Sequence, residues 1–220
     1  MSGSGGLVIH DPDVVLTDLA LALLGAYLGW RLWRVPNRGG MTRTGVVIMV
    51  ALASAAFWGA VFHAFFTTGT RTAAGFMTWV PVVLSILIVA AALLELGLRV
   101  STPRLPPPVR HAIVATYAAV FAAVALLVDA SFSTIVSFYA PVVFLFLIAA
   151  ARQAVRDRDA GWTLIAVSFA ISLLAAGLQQ ARVSIHEHFD HNAVYHVLQG
   201  VALVLLYRGF LRAPGAPRRM

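Results

Sequence analysis

Five side chains that could bind zinc or move protons lie near the ends of long apolar segments. They are Asp18, His63, Asp190, His191 and His196. Neutral imidazole nitrogens and carboxylate oxygens are common zinc ligands, and a zinc ion lowers the pKa of its bound water to about 7. If these side chains meet in the fold, we expect His63, His191 and His196 to be metal ligands. Asp18 or Asp190 would then be a further ligand or the general base.

The spacing of His191 and His196 limits how both could bind one ion. Residues five apart on a helix point about 140° away from each other, so His191 would have to precede the regular helix. A helix N-cap at Asp190 or Asn192 would allow this, because a capping residue leaves the helical spiral. The amides that we expect to join the same polar cluster are Asn192, Gln199 and Gln179.

The composition places these side chains in a membrane protein. Hydrophobic residues make up 60% of the 220 residues and charged residues 11%, whereas charged residues are about a quarter of an ordinary soluble domain. A membrane-spanning helix needs roughly 20 residues, so the chain has room for about seven spans and for no sizeable soluble domain. It contains no cysteine and no lysine, which excludes thiolate metal sites and a retinal Schiff base.

Long apolar windows predict an all-α, polytopic fold of seven transmembrane helices. The connector at 129–131 is the least distinct boundary. We expect residues 1–13 to be a short external segment that stays attached to its anchor helix, 14–212 to be the transmembrane domain, and 213–220 to be a basic cytoplasmic tail. The predicted spans are 14–35, 44–68, 73–99, 109–128, 132–152, 161–183 and 191–212.

The arginines predict the orientation of the bundle. All but two of the sixteen lie in alternate connectors and in the C-terminal tail, and the exceptions are Arg71 and Arg182. By the positive-inside rule, the N-terminus lies outside and the C-terminus in the cytoplasm. We therefore interpret the formal charge of +7 as contact with anionic lipid headgroups rather than with nucleic acid. The histidine-rich ends of the helices face outward in this orientation.

Two segments carry a resemblance to a known group of proteins. Gly59-Ala-Val-Phe-His63 and Asp190-His-Asn-Ala-Val-Tyr-His196 resemble the signatures of the CREST superfamily of seven-helix membrane hydrolases, which includes alkaline ceramidases and adiponectin-receptor-like proteins. That resemblance implies a zinc ion held by three histidines and hydrolysis of lipid amides. Gly59 and Asn192 stand where the superfamily has serine and histidine.

The stretch from His191 to Gln199 is also similar to a bacterial membrane family of unassigned function, which would place the chain in a bacterial inner membrane. Three functions follow as hypotheses. The first is a zinc-dependent hydrolase of lipid amide or ester bonds, with a cavity between helices 2 and 7 that admits an acyl chain. The second is a receptor-like or structural relative whose histidines hydrogen-bond helices 2 and 7 together. The third is a haem protein with His63 and His196 as axial ligands.

Overall fold

Seven long helices make up the part of the chain that the structure, a computed structural model, describes: residues 9–36, 39–66, 69–186 and 189–213. All seven are long and apolar enough to cross a membrane, which confirms the predicted helix count. Residues 1–8 and 214–220, which hold most of the two predicted terminal segments, lie outside the described residues. The helices are α1 (Pro12–Trp33), α2 (Gly40–Phe65), α3 (Ala73–Ser101), α4 (Pro107–Ala123), α5 (Phe132–Asp157), α6 (Ala160–Gln180) and α7 (His191–Arg212).

The observed boundaries differ from the predicted ones by a few residues, and side-chain caps account for several helix starts. Ser131 accepts a hydrogen bond from the backbone of Thr134, and Asp159 accepts one from the backbone of Trp162. Each bond satisfies one of the backbone N–H groups that the first turn of a helix leaves without a partner. Helix α6 stops three residues earlier than predicted, because the chain turns away at Ala181 and Arg182 has a left-handed φ of 53°.

Six of the helices pack side by side in a closed ring. Helix α1 contacts α2, and the ring continues through α3, α5, α6 and α7 back to α1. Helix α4 lies outside the ring against α3, where Arg110 of α4 donates a hydrogen bond of 2.8 Å to Glu95 of α3. Glu95 also accepts a hydrogen bond from Arg99, one turn later in α3. The ring therefore encloses the interior, and α4 covers one part of its outer surface.

Helix α4 ends in a π-helical turn, Val124–Val128, and a compact connector leads from there to α5. Hydrogen bonds from the Thr134 hydroxyl and from the hydroxyl and backbone N–H of Ser131 hold the pKa of Asp129 below its usual value. The indole of Trp79 in α3 donates a bond of 2.8 Å to the carbonyl of Ala130. These contacts fix the connector against the ring beside the start of α5.

The two ends of the ring differ in their residues. The histidine end is where α1 and α7 begin and α2 ends, and it holds His63 and His196. The arginine end is the opposite one, with Arg31, Arg99 and Arg110. Helices α6 and α7 pack closely at the arginine end, because Gly161 has no side chain to hold them apart. A Cβ added to Gly161 would lie 2.5 Å from the backbone nitrogen of Ala213.

We expect Gly161→Ala to destabilise the protein, because the new methyl group meets backbone that cannot rotate away. Overpacking of this kind costs about 1–3 kcal/mol. Thermal unfolding in detergent measures the effect. Gly177→Ala in the same helix is the matched control, since nothing lies within 4 Å of the added Cβ, and it should unfold at or above the parental temperature. Equal unfolding temperatures for the two variants would contradict the packing described here.

Candidate functional site

A cavity of about 390 Å³ lies inside the ring, within the size range of pockets that bind small molecules. All six ring helices contribute to its walls, and no described residue of α4 does. Its acidic, imidazole and amide side chains lie at the histidine end, and the lining towards the arginine end is mostly apolar, with Ser168 as its deepest polar residue. The acidic, imidazole and amide residues are Asp18, His63, Gln179, Asn192, His196 and Gln199, and the apolar ones include Ile48, Leu52, Val89, Phe169, Leu203 and Leu206.

Asp18 and His196 form a buried pair at the polar end of this central cavity. Nε2 of His196 lies 3.1 Å from Oδ1 of Asp18, and their side chains are 10% and 7% exposed. Nδ1 of the same ring lies 2.9 Å from the hydroxyl of Thr17. Both contacts run from α7 to α1, so they join the first ring helix to the last. The hydrogen bonds of His196 were predicted to reach α2, and α1 supplies the partners instead.

The bonding of Thr17 favours one arrangement of protons in the pair. The hydroxyl of Thr17 has one hydrogen to donate to the carbonyl oxygens of Asp13 and Val14, at 2.9 and 3.0 Å. In that arrangement it accepts from His196 in the tautomer that carries a hydrogen on Nδ1. The contact between His196 and Asp18 then holds a single proton, which either group can carry while the hydrogen bond is kept. The pair is neutral as a whole, which suits its burial.

Gly59 of α2 leaves room for the carboxylate of Asp18. A Cβ added to Gly59 would lie 3.2 Å from Oδ2 of Asp18. This contact gives a physical reason for glycine where the CREST superfamily has serine, since a side chain here would press against the carboxylate. Sequence reasoning singled out Asp18 but missed Thr17 and the space beside Gly59, because neither feature has a signature in residue type or spacing.

His63 faces the same cavity from the end of α2 but has different contacts. Its Nδ1 lies 3.9 Å from Oδ2 of Asp11, which precedes α1. The backbone N–H of His10 donates to the carbonyl of Ala64, and this bond keeps the start of α1 beside the end of α2. His63 therefore lies between the exposed carboxylate of Asp11 and the central cavity.

The first turn of α7 confirms Asp190 as the N-cap. Its Oδ1 accepts bonds from the backbone N–H groups of Asn192 and Ala193, at 2.8 and 2.9 Å. His191 is the first helical residue, with Nδ1 3.6 Å from Oδ2 of Asp190. Neither Asp190 nor His191 lines the cavity. The structure thus brings Asp18, His63 and His196 to one cavity and leaves the other two predicted site residues beside it.

The predicted amides form hydrogen bonds between α6 and α7. Gln179 donates to Asn192 at 2.9 Å, and the hydroxyl of Ser172 donates to Gln199 at 3.0 Å. All four side chains line the cavity. The wall on this side is therefore polar and already held together by its own hydrogen bonds, so that the amides are positioned before any ligand binds.

The present arrangement does not suit a metal ion. In the described ranges, no three histidine, aspartate or glutamate side chains form a group that could hold one. Both ring nitrogens of His196 point at protein partners, Thr17 and Asp18. Zinc or haem iron could bind His196 only if its imidazole gave up the contact with Thr17 or with Asp18. The zinc site and the haem site stay predictions.

Comparison with known proteins gives a family but no activity. The chain matches a family of unknown function, DUF6962, over residues 14–214. No curated protein and no solved structure matches it. The match covers the whole ring and α4, and it adds no support for the CREST superfamily beyond the seven apolar helices. The chain belongs to the DUF6962 family, whose function is unknown.

Proposed function

We propose that this protein is a multi-pass membrane protein that binds a single-chain amphiphile in its central cavity. One observation carries the proposal: the cavity has its acidic, imidazole and amide side chains at the histidine end and a mostly apolar lining along the rest of its length. A ligand with one polar head and one apolar chain matches both parts. This is the receptor-like alternative among the three hypotheses, with the hydrogen bonds of His196 joining α1 to α7.

The length of the cavity favours an extended chain. Its lining on α7 runs from Asn192 to Leu206, and its lining on α2 runs from Ile48 to His63. At 1.5 Å per residue, each wall extends roughly 20 Å along the helix axis, which is most of the roughly 30 Å of a bilayer core. A volume of about 390 Å³ drawn out over that length is narrow. It suits one alkyl chain rather than two.

The arginines favour a cytoplasmic arginine end, so we place the polar end of the cavity on the outer side of a bacterial inner membrane. The exposed side chains of Arg152 and Arg156 near the end of α5 would contact anionic headgroups there. In this orientation the head of the ligand lies in the outer half of the bilayer. The exposed Asp11 beside His63 then faces the external solution.

Native mass spectrometry tests the proposal after incubation with a mixture of hexadecanol, hexadecylamine and palmitate. We expect one bound amphiphile per protein in the parent and none in Ala202→Phe, because Ala202 lines the cavity and is 2% exposed. Val201→Phe, on the adjacent exposed position of α7, is the control and should bind normally. Ala56→Phe fills the cavity from α2 and provides a second variant if Ala202→Phe does not fold. No bound amphiphile in the parent, or equal binding in filled and control variants, would refute the proposal.

Hydrolysis of an amide or ester bond in a membrane lipid is the second candidate function. The placement of one carboxylate and two imidazoles, Asp18, His63 and His196, at the head of an apolar cavity favours it. Asp18 would act as the general base. The zinc-dependent form also needs His191, which lies outside the cavity lining, so the first turn of α7 would have to rearrange.

Metal content and lipid turnover test this second candidate. The protein is purified without a histidine tag or chelators, beside the double variant His63→Ala/His196→Ala. A zinc hydrolase should contain one equivalent of zinc and release fatty acid from lipid amides or esters, and both properties should vanish in the double variant. Lipid turnover that is absent from the parent, or equal in parent and variant, would exclude hydrolysis at this site.

A further inference from the structure

The chemistry of the polar end indicates which head group the cavity accepts. This step rests on the proposed function. Among the residues that the structure describes, the lining contains one carboxylate, that of Asp18, and two imidazoles, those of His63 and His196, but no arginine. The two arginines predicted at this end, Arg71 and Arg182, are exposed and do not line the cavity. No permanent positive charge of the described lining faces the ligand, so a buried carboxylate or phosphate head would have no ion-pair partner there.

A cationic head group is disfavoured as well, because the polar end would not neutralise its charge. With the hydroxyl of Thr17 donating within its own helix, Asp18 and His196 share one proton and are neutral together. An ammonium group placed beside them would add a net charge inside the bundle unless that proton left. Burial of an uncompensated charge is costly in a low-dielectric interior. An uncharged head therefore suits the pair better than either ion.

The carboxylate of Asp18 provides a partner for the head. Asp18 and Gly59 both line the cavity, and the carboxylate lies so close to Gly59 that an added Cβ would come within 3.2 Å of Oδ2. Oδ1 already contacts His196, whereas Oδ2 lies on the side of Gly59, where glycine has no side chain to cover it. A hydroxyl in the cavity could donate to Oδ2.

The lining at the arginine end determines which part of the ligand lies there. The deepest polar side chain of the described lining is that of Ser168, beside Phe169 in α6. Beyond it, the lining residues towards the arginine end are Ile48, Val89 and Leu206, and none of them has a polar side-chain atom. A second polar group on the ligand would be buried there without a partner. The chain end of the ligand is therefore plain hydrocarbon.

We propose that the cavity binds a long-chain alcohol or a similar amphiphile with one alkyl chain and an uncharged, hydroxyl-bearing head. The hydroxyl donates from the cavity to Oδ2 of Asp18, and the chain lies along α2 and α7 towards the arginine end. Fatty acids and long-chain amines with the same chain bind less tightly, because each introduces a charge that the polar end does not compensate.

Separate titrations of the full-length protein with hexadecanol, palmitate and hexadecylamine test this assignment. Native mass spectrometry of each mixture gives the bound fraction. We expect hexadecanol to bind at least tenfold more tightly than either charged ligand. Palmitate or hexadecylamine binding as tightly as hexadecanol would overturn the assignment but leave the amphiphile proposal intact. If none of the three binds, the proposed function itself fails.

Two glycine-to-alanine variants, one at Gly59 and one at Gly200, provide the test of this placement and its control. Gly59→Ala fills the space beside Oδ2 and should weaken hexadecanol binding at least tenfold. Gly200→Ala in α7 is the control, because its added Cβ would lie at an ordinary contact distance, 3.6 Å from Leu24, and Gly200 does not line the cavity. It should bind hexadecanol as the parent does. If Gly59→Ala does not fold, Asp18→Asn tests the same acceptor oxygen. Unchanged hexadecanol affinity in a folded Gly59→Ala or Asp18→Asn variant would overturn the placement of the hydroxyl.

Discussion

The buried contact between Asp18 of α1 and His196 of α7 is the interaction on which the rest of this structure depends. It joins the first and last helices of a six-helix ring, and the ring cannot enclose a cavity unless these two helices meet. A lone carboxylate or a lone imidazole would be costly within an apolar bundle. The one proton that they share makes the pair neutral, and Thr17 holds the ring of His196 in the orientation that sharing needs.

The closed ring explains where the polar groups of the molecule are found. The acidic, imidazole and amide side chains that line the cavity are at the histidine end, where Asp190 caps α7 and the amides of α6 and α7 bond to each other. The arginine end is held by contacts of a different kind, namely the bare glycine surfaces between α6 and α7 and the ion pair of Glu95 with Arg110. The arginine end is therefore held together by close helix packing and an ion pair, whereas the histidine end has polar groups that a ligand in the cavity can reach.

The sequence was sufficient to predict the helices and the depth of the site residues. Hydropathy locates each span, and the helical rise then places Asp18, His63 and His196 near the same end. Residue type left the cap of α7 open between Asp190 and Asn192, and the structure has it at Asp190. The helix that contacts His196 could not be predicted, because hydropathy gives the depth of a residue but not which neighbouring helix it faces. The contact with α1 depends on how the ring closes, and the space beside Gly59 depends on the separation between α1 and α2.

A double-mutant cycle on the buried pair tests the central claim most directly. Thermal or denaturant unfolding in detergent is measured for the parent, Asp18→Ala, His196→Ala and the double variant. If the two side chains form the contact that closes the ring, each single variant leaves a buried partner unsatisfied. The double variant should then be more stable than additivity predicts, by about 1–3 kcal/mol. Additive losses would show that Asp18 and His196 do not interact, and would contradict the account of both the ring and its cavity.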